Sequence, residues 1–346
     1  MVRFSNRVYL QQMAAGLQPK LAFPLDHPEQ WPRWRAALRV RVNDLLGGIP
    51  PARHDQTAEV LERREETGYI QERIVIRGRA DVEIPAYFLI PVAANGAGAG
   101  RAVLCLHGHG RGKIDVVGDP GDGTEDERAA NRAWIDLLNY DFACRFAQMG
   151  YVVLAPDARG FGERADGSDP DCYVPGVVSL LLGLPITGQR LIDDLSALDY
   201  LSAHPIVNPV RIGCVGLSEG GKRTLYLAAL DDRIRAAVIS GYFTTLKGEI
   251  RHWRNFANWD ICNYVPGLLR YADYTDLAAL IAPRPLLIES GTDDDLYDQG
   301  AVSEALQQIA AVYNAHGVPD RLSSDVFAGG HRWSGQQSYS WLDRWL

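Results

Sequence analysis

Cysteine is scarce in this sequence, and what there is lies scattered. Cys105, Cys144, Cys172, Cys214 and Cys262 are the five in 346 residues, at wide spacings and with no Cys-x-x-Cys pair. An odd number in that pattern reads as reduced, mostly buried thiols of a cytosolic protein rather than a disulfide framework. Long apolar runs are missing too. None approaches the ~20 residues that a membrane span needs, and Met1 to Asn6 lacks the apolar stretch of a signal peptide. The expectation is a cytoplasmic protein with no membrane partner. Positive charge is in deficit, with 35 Lys and Arg against 43 Asp and Glu, a formal charge of −8. Such a chain has no electrostatic reason to bind nucleic acid or an anionic surface. Internal repeats and low-complexity blocks are also absent. A small-molecule partner remains, and nothing in the sequence argues for or against a homo-oligomer.

Hydrophobic residues make up 47% of the chain, enough for a sizeable core. Residues 1–100 read as an N-terminal extension. Trp34, Leu38, Val42, Leu45 and Leu46 recur at helical spacing before Gly47-Gly48. Two strand-like runs follow, Ile70 to Ile76 and Ala86 to Ile90, as a leading hairpin. Asn95 to Gly100 reads as an exposed small-residue loop. From 101 to 346 the pattern changes. Short, continuous apolar runs appear at Ala102–Leu106, Tyr151–Ala155, Ile212–Gly216, Ala236–Ser240 and Pro285–Ser290. Such runs suit strands of a parallel sheet covered on both faces. Helical patterns lie between them, one through Phe142, Phe146 and Met149, another through Leu191, Leu195, Leu198 and Leu201 with Thr187 as expected N-cap. The alternation predicts an α/β fold with a doubly wound, mostly parallel sheet. One aromatic-rich stretch, about 241–279, interrupts it. It reads as a small cap over the carboxyl ends of the strands, where ligands bind in open α/β sheets. Trp259 and Tyr264 are its candidate substrate contacts. A packed insertion with its own small core is the alternative.

The chemistry starts at Gly216-Leu217-Ser218-Glu219-Gly220, a G-x-S-x-G pattern. A buried-strand pattern precedes it and a helix-like stretch follows, which is the setting of a nucleophile elbow. A serine hydroxyl needs a base. His331, on the turn after the strand-like Asp325-Val326-Phe327, is the best placed of the eight histidines. His27, His54, His204 and His316 lie in the extension, at a helix end or in a loop, and His252 in the cap is a minor competitor. The acid that orients the imidazole is one of Asp293, Asp294 and Asp295, after the strand ending in Glu289-Ser290. The order Ser, Asp, His along the chain is the one that accompanies a nucleophile elbow. Leu106-His107-Gly108-His109-Gly110 forms a glycine-rich turn that can aim an N–H at a reacting carbonyl oxygen, together with the N–H of Glu219. As a phosphate cradle the turn lacks the Gly-Lys-Ser/Thr ending. As a His-x-His metal pair it has no ligand partner nearby in sequence.

These residues, with Pro156-Asp157-Ala158-Arg159-Gly160-Phe161-Gly162-Glu163, Pro283-Arg284-Pro285 and Gly330-His331-Arg332, resemble the α/β-hydrolases grouped with dienelactone hydrolases and acetyl xylan or cephalosporin-C deacetylase-type esterases. The resemblance implies an α/β-hydrolase fold and a serine carboxylic-ester hydrolase acting on short-acyl esters, with no metal and no organic cofactor. It maps the acid to Asp294 and the oxyanion donors to the backbone amides of His109 and Glu219. Glu219 departs from the Gln or smaller residue common there, and its carboxylate is expected to favour a cationic or polyhydroxylated substrate. The competing functions are a peptidase of the prolyl-oligopeptidase type or a C–C bond hydrolase on the same triad, or a non-catalytic binding module. About one hundred leading residues cannot build the propeller that such peptidases usually carry.

Overall fold

The computed structural model describes residues 4–53, 55, 57–92, 100–167, 172–253, 256 and 259–346. His54 and most of the loop expected at Asn95–Gly100 lie outside these. Nine strands form one sheet: β1 Ala58–Glu66, β2 Tyr69–Arg77, β3 Glu83–Pro91, β4 Ala102–Leu106, β5 Val152–Pro156, β6 Ile212–Leu217, β7 Ile234–Ser240, β8 Leu286–Gly291 and β9 Leu322–Phe327. Their spatial order is β1-β2-β3-β5-β4-β6-β7-β8-β9. The pairings from β5 through β4 to β9 are parallel, while β1, β2 and β3 attach antiparallel onto β5.

The helices, in chain order, are α1 Asn6–Gly16, α2 Trp31–Leu45, α3 Lys113–Val116, α4 Glu125–Leu138, α5 Phe142–Gln148, α6 Tyr173–Leu181, α7 Ile186–Ala203, α8 Glu219–Leu230, α9 Leu246–His252, α10 Tyr274–Ala279, α11 Gln299–Ala315 and α12 Ser338–Trp345. They cover both faces of the sheet, which explains the unbroken apolar runs. In β4, Ala102, Leu104 and Leu106 join the core beneath α2, α7, α8 and α11, whereas Val103 and Cys105 join the one beneath α4, α5 and α12. A strand buried on both sides has no polar face to alternate with.

Residues 1–100 are not set apart from the rest. Trp34, Leu38 and Val42 of α2 enter the larger core, and β3 pairs with β5 inside the sheet. The leading hairpin is a three-stranded meander, because β1 precedes it. Its sequence, AEVLERREE, is charged and exposed along most of its length. An edge strand takes its hydrogen bonds from one neighbour and needs no apolar face, so its sequence carries little strand signal. Thr187 does not cap α7. Pro185 stands at that position, and the Thr187 hydroxyl donates instead to the Cys262 carbonyl at 2.7 Å.

β4 leads to β5 on one side of it, while β6 lies on the other, so the chain reverses direction of winding here. In open α/β sheets the crevice at such a switch, beyond the carboxyl ends of the strands, receives ligands. Leu106 of β4 and Gly216 of β6 are paired at that point. The turn beginning at His107 and the turn carrying Ser218 therefore leave the sheet side by side.

Candidate active site

Ser218 joins β6 to α8 in a conformation that L-residues rarely adopt, φ 60° and ψ −122°. The tightness has a visible cause. A Cβ on Gly216 would lie 2.3 Å from the Gly220 backbone, and one on Gly220 would lie 1.9 Å from the Leu106 carbonyl oxygen. Any side chain at either place drives helix and strands apart. The Ser218 N–H is held by the Ser240 carbonyl at 2.9 Å. Glu219 is the first residue of α8, where an N–H has no intrahelical acceptor and the helix dipole is positive.

The turn after β4 packs against the serine. A Cβ built on Gly108 would stand 2.9 Å from Ser218 Cβ, and the Gly108 N–H donates to the Tyr140 hydroxyl. His107 is fully buried. Its Nε2 accepts from the Ala158 N–H at 3.0 Å, and its Nδ1 lies 2.7 Å from the Gly108 carbonyl. Burial, with Arg223 adding to it, pushes its pKa well down, so the ring is neutral. With both nitrogens used inside the fold, His107 is no partner in a His-x-His pair. Among the described residues the backbone N–H of His109 donates to no protein acceptor.

Asp294 and His331 meet across the carboxyl ends of β8 and β9, with Oδ2 2.7 Å from Nδ1. Asp294 is buried, and its other oxygen accepts from the Leu296 N–H at 3.0 Å. The two turns are laced by Thr292 N–H to the Phe327 carbonyl and Asp293 N–H to the Gly329 carbonyl, each 2.9 Å. Asp293 is exposed and contacts Thr292 instead. The His331 ring lies against Gly241, where a Cβ would be 3.0 Å from Cε1. Ser240 holds the serine, Gly241 borders the imidazole, and the two groups thus flank one dipeptide at the end of β7. Glu289 of β8 secures the chain after His331, accepting from the Ser334 and Gly335 N–H groups and the Ser338 hydroxyl.

The Glu219 carboxylate corrects one expectation. It does not face substrate, because both it and its two cationic partners are inaccessible to solvent. Arg190 lies 2.7 Å from Oε1 and Lys222 2.6 Å from Oε2. Burial favours the neutral acid, but Lys222 and then Arg190 outweigh it and hold the pKa down at about 2. The charge is internal, so it cannot select a cationic or polyhydroxylated substrate. The His109 side chain points the other way from a lone ligand. Its Nε2 lies 2.8 Å from Asp260 Oδ2 and 3.5 Å from each of the Cys172 and Cys262 sulfurs. Burial works against protonation, yet Asp260 and Cys262 raise its pKa to about 9.

The two cap candidates differ. Trp259 is 7% exposed and its indole N–H is taken by the Leu296 carbonyl at 2.9 Å, so it offers substrate no hydrogen bond. It packs between Phe256 and Tyr297. Tyr264 is half-buried at the edge of the same core. A cavity of about 340 Å³ lined by Phe23, Asp273, Asp276 and Glu304 lies apart from Ser218, Asp294 and His331. Tyr140, Arg190 and Glu289 had no local sequence signal, and that of Lys222 was overlooked. Each acts through a partner remote in the chain, except Lys222, whose spacing of three from Glu219 on a helix is the pairing distance.

A model of the Abhydrolase family, named Abhydrolase_7, matches residues 2–344. The putative hydrolase YtaP of Bacillus subtilis (strain 168) is 30% identical over 324 residues, 90% of this chain and 100% of its own. Among solved structures, a putative acetyl xylan esterase of Bacteroides fragilis superposes with a TM-score of 0.77 at 22% identity, over 94% of this chain and 84% of that one. A glucuronoyl esterase of Solibacter usitatus gives 0.66 at 16% identity, over 91% and 92%.

Proposed function

The chain belongs to the Abhydrolase family, and from that premise we propose that it is a serine carboxylic-ester hydrolase for short-acyl esters, working through an acyl-enzyme on Ser218, His331 and Asp294. The observation that carries the reading is the strained Ser218 at a strand-to-helix turn, packed against the glycine turn of Gly108 and held by the Ser240 carbonyl, with the His331–Asp294 pair bordering the adjacent Gly241. With Nδ1–H donated to Asp294, the imidazole presents Nε2 as the base. Ser218 Oγ attacks the acyl carbon as its proton passes to Nε2. The carbonyl oxygen becomes an oxyanion, received by the N–H groups of His109 and Glu219. The proton then goes to the leaving alcohol as the C–O bond breaks. Water repeats the sequence on the acyl-enzyme and returns the serine.

The names of the neighbours, an acetyl xylan esterase and a glucuronoyl esterase, support an ester as the small-molecule substrate. The packed aromatics Phe256, Trp259 and Tyr297, the last of them beside the His331 ring, support a narrow acyl site. Unbridged cysteines, four of the five buried, accord with a reducing compartment such as the cytoplasm. The test is covalent labelling with a fluorophosphonate, alongside hydrolysis of p-nitrophenyl acetate. Wild type should label once and turn over the ester. Ser218→Ala should do neither while keeping its circular dichroism spectrum. Labelling elsewhere, or more than about a tenth of the activity left in the variant, refutes the assignment.

A further inference from the structure

His109, Cys172 and Cys262 come from three separate segments: the turn after β4, the residue before α6, and the short turn of the cap at Ile261–Asn263. Their ligand atoms Nε2, Sγ and Sγ all lie within 4.8 Å of one another, and among the described residues no other group of three such side chains does so. From this convergence we infer a binding site for a thiophilic divalent cation, Zn²⁺ in the first place, held by His109 Nε2 and the two sulfurs, with Asp260 as the fourth ligand.

The geometry fits a tetrahedral ion. With Zn–S of about 2.3 Å and Zn–N of about 2.0–2.1 Å, a tetrahedral N···S edge is about 3.5 Å. Both N···S distances are 3.5 Å. Asp260 Oδ2 stands 2.8 Å from the same nitrogen, and its side chain is 54% exposed, so it can turn to the open corner and marks the way in from solvent. Two thiolates and an imidazole select zinc over magnesium or calcium, which take oxygen donors.

Charge points the same way. Around the cluster Arg190 and Lys222 both pair with Glu219, and Asp260 pairs with His109. A divalent ion with two thiolates adds no net charge to that set, so none is left unbalanced in the interior. The Arg190 Nη2 donor, 3.1 Å from Cys172 Sγ, and Glu219 Oε2, 3.5 Å from Cys262 Sγ, are further polar neighbours. An N–H donated to sulfur is the outer-shell contact that orients a metal-bound thiolate. The Cys262 S–H now shared with Glu219 is lost on binding, and its proton leaves with the others that the ligands shed.

The ion would clamp the cap and the start of α6 onto the turn whose backbone N–H, at His109, faces the reaction. It takes no part in the chemistry itself.

The test uses the full chain purified without chelator or polyhistidine tag. Mass spectrometry of metals should find about one zinc per chain, and Cys172→Ser and Cys262→Ser should each cut this at least fivefold. Since a serine variant can fail to fold, Co²⁺ is also added to chelator-stripped wild type. Intense visible d–d bands with a thiolate-to-cobalt charge-transfer band are expected, lost on adding excess Zn²⁺. Weak octahedral bands, a zinc content at background in protein grown with added zinc, or a Cys172–Cys262 disulfide found by alkylation without reductant would each overturn the site. None of these readouts depends on esterase activity, so the inference and the proposed function fail separately.

Discussion

Replacing Glu219 by Gln separates the two parts this residue plays. The backbone N–H assigned to the oxyanion is kept. The carboxylate charge between Arg190 and Lys222 is removed, and two cations remain in the interior without it. Breaking a buried pair by deleting one partner costs about 3–5 kcal/mol. The pKa supplies a second route to the size. Holding this carboxyl at about 2 instead of the ordinary 4.5 corresponds to ~3 kcal/mol of folded-state preference for the charged form. At ~2.1 cal/mol/K of unfolding entropy per residue, 346 residues give ~0.7 kcal/mol/K. The expected drop in Tm at pH 7 is therefore about 4–7 °C by differential scanning calorimetry. The folded pKa is depressed, so the stabilisation is present above about pH 4.5 and fades as pH falls toward 2. Below pH 3 the gap between wild type and variant should narrow. At 25 °C, where both are folded, kcat for a neutral acetate ester should stay within about threefold. A Tm within 1 °C of wild type would refute the buried-pair argument. A changed preference between cationic and neutral esters, with Tm unchanged, would mean that the carboxylate meets substrate after all.

Three further outcomes follow from the same geometry. Asp294→Asn should lower kcat by about 10⁴, as loss of an orienting acid does elsewhere, while Asp293→Asn and Asp295→Asn stay within about threefold; equal losses in all three would undo the pairing with His331 as the basis of the assignment. Across p-nitrophenyl esters from acetate to decanoate, kcat/KM should peak at two to four carbons. An open pocket would instead gain up to ~0.8 kcal/mol per methylene, and a maximum at octanoate or beyond would show that the cap aromatics do not limit the acyl group. Gly220→Ala places a methyl 1.9 Å from the Leu106 carbonyl oxygen, so it should cost at least ~3 kcal/mol and appear as insoluble protein or a Tm at least 4 °C lower; a soluble variant with wild-type Tm would remove the close-approach argument for the elbow glycines.

Much of the proposed site is legible in the chain because its parts are local. Gly216, Ser218 and Gly220 sit within five residues, and the strand–turn–helix around them follows from hydrophobic runs and from the need for glycine where backbone meets backbone. The parallel strands were legible for a similar reason, since burial on both faces leaves an unbroken apolar run. His331 stands out by its position after the last strand. Local pattern alone left the acid open among three neighbouring aspartates, because one-residue differences in a turn decide which carboxylate points inward. In the structure the Asp294 carboxylate meets the His331 ring, while the Asp293 N–H is spent on the Gly329 carbonyl.

What sequence by itself determined is the set of features whose energy lies between near neighbours: the elbow, the buried strands, the helix through Trp34, Leu38 and Val42. Only the tertiary structure decided the rest. It seated the exposed, charged β1 on an edge, where one partner strand satisfies it. It turned Glu219 inward between Arg190, 29 residues away, and Lys222. It also gathered His109, Cys172 and Cys262 from across 153 residues into one cluster. The reason is physical. A buried charge or a lone thiol takes its character from whatever the fold places beside it, and that neighbour is set by the packing of the whole sheet and its helices, leaving no local trace in the chain.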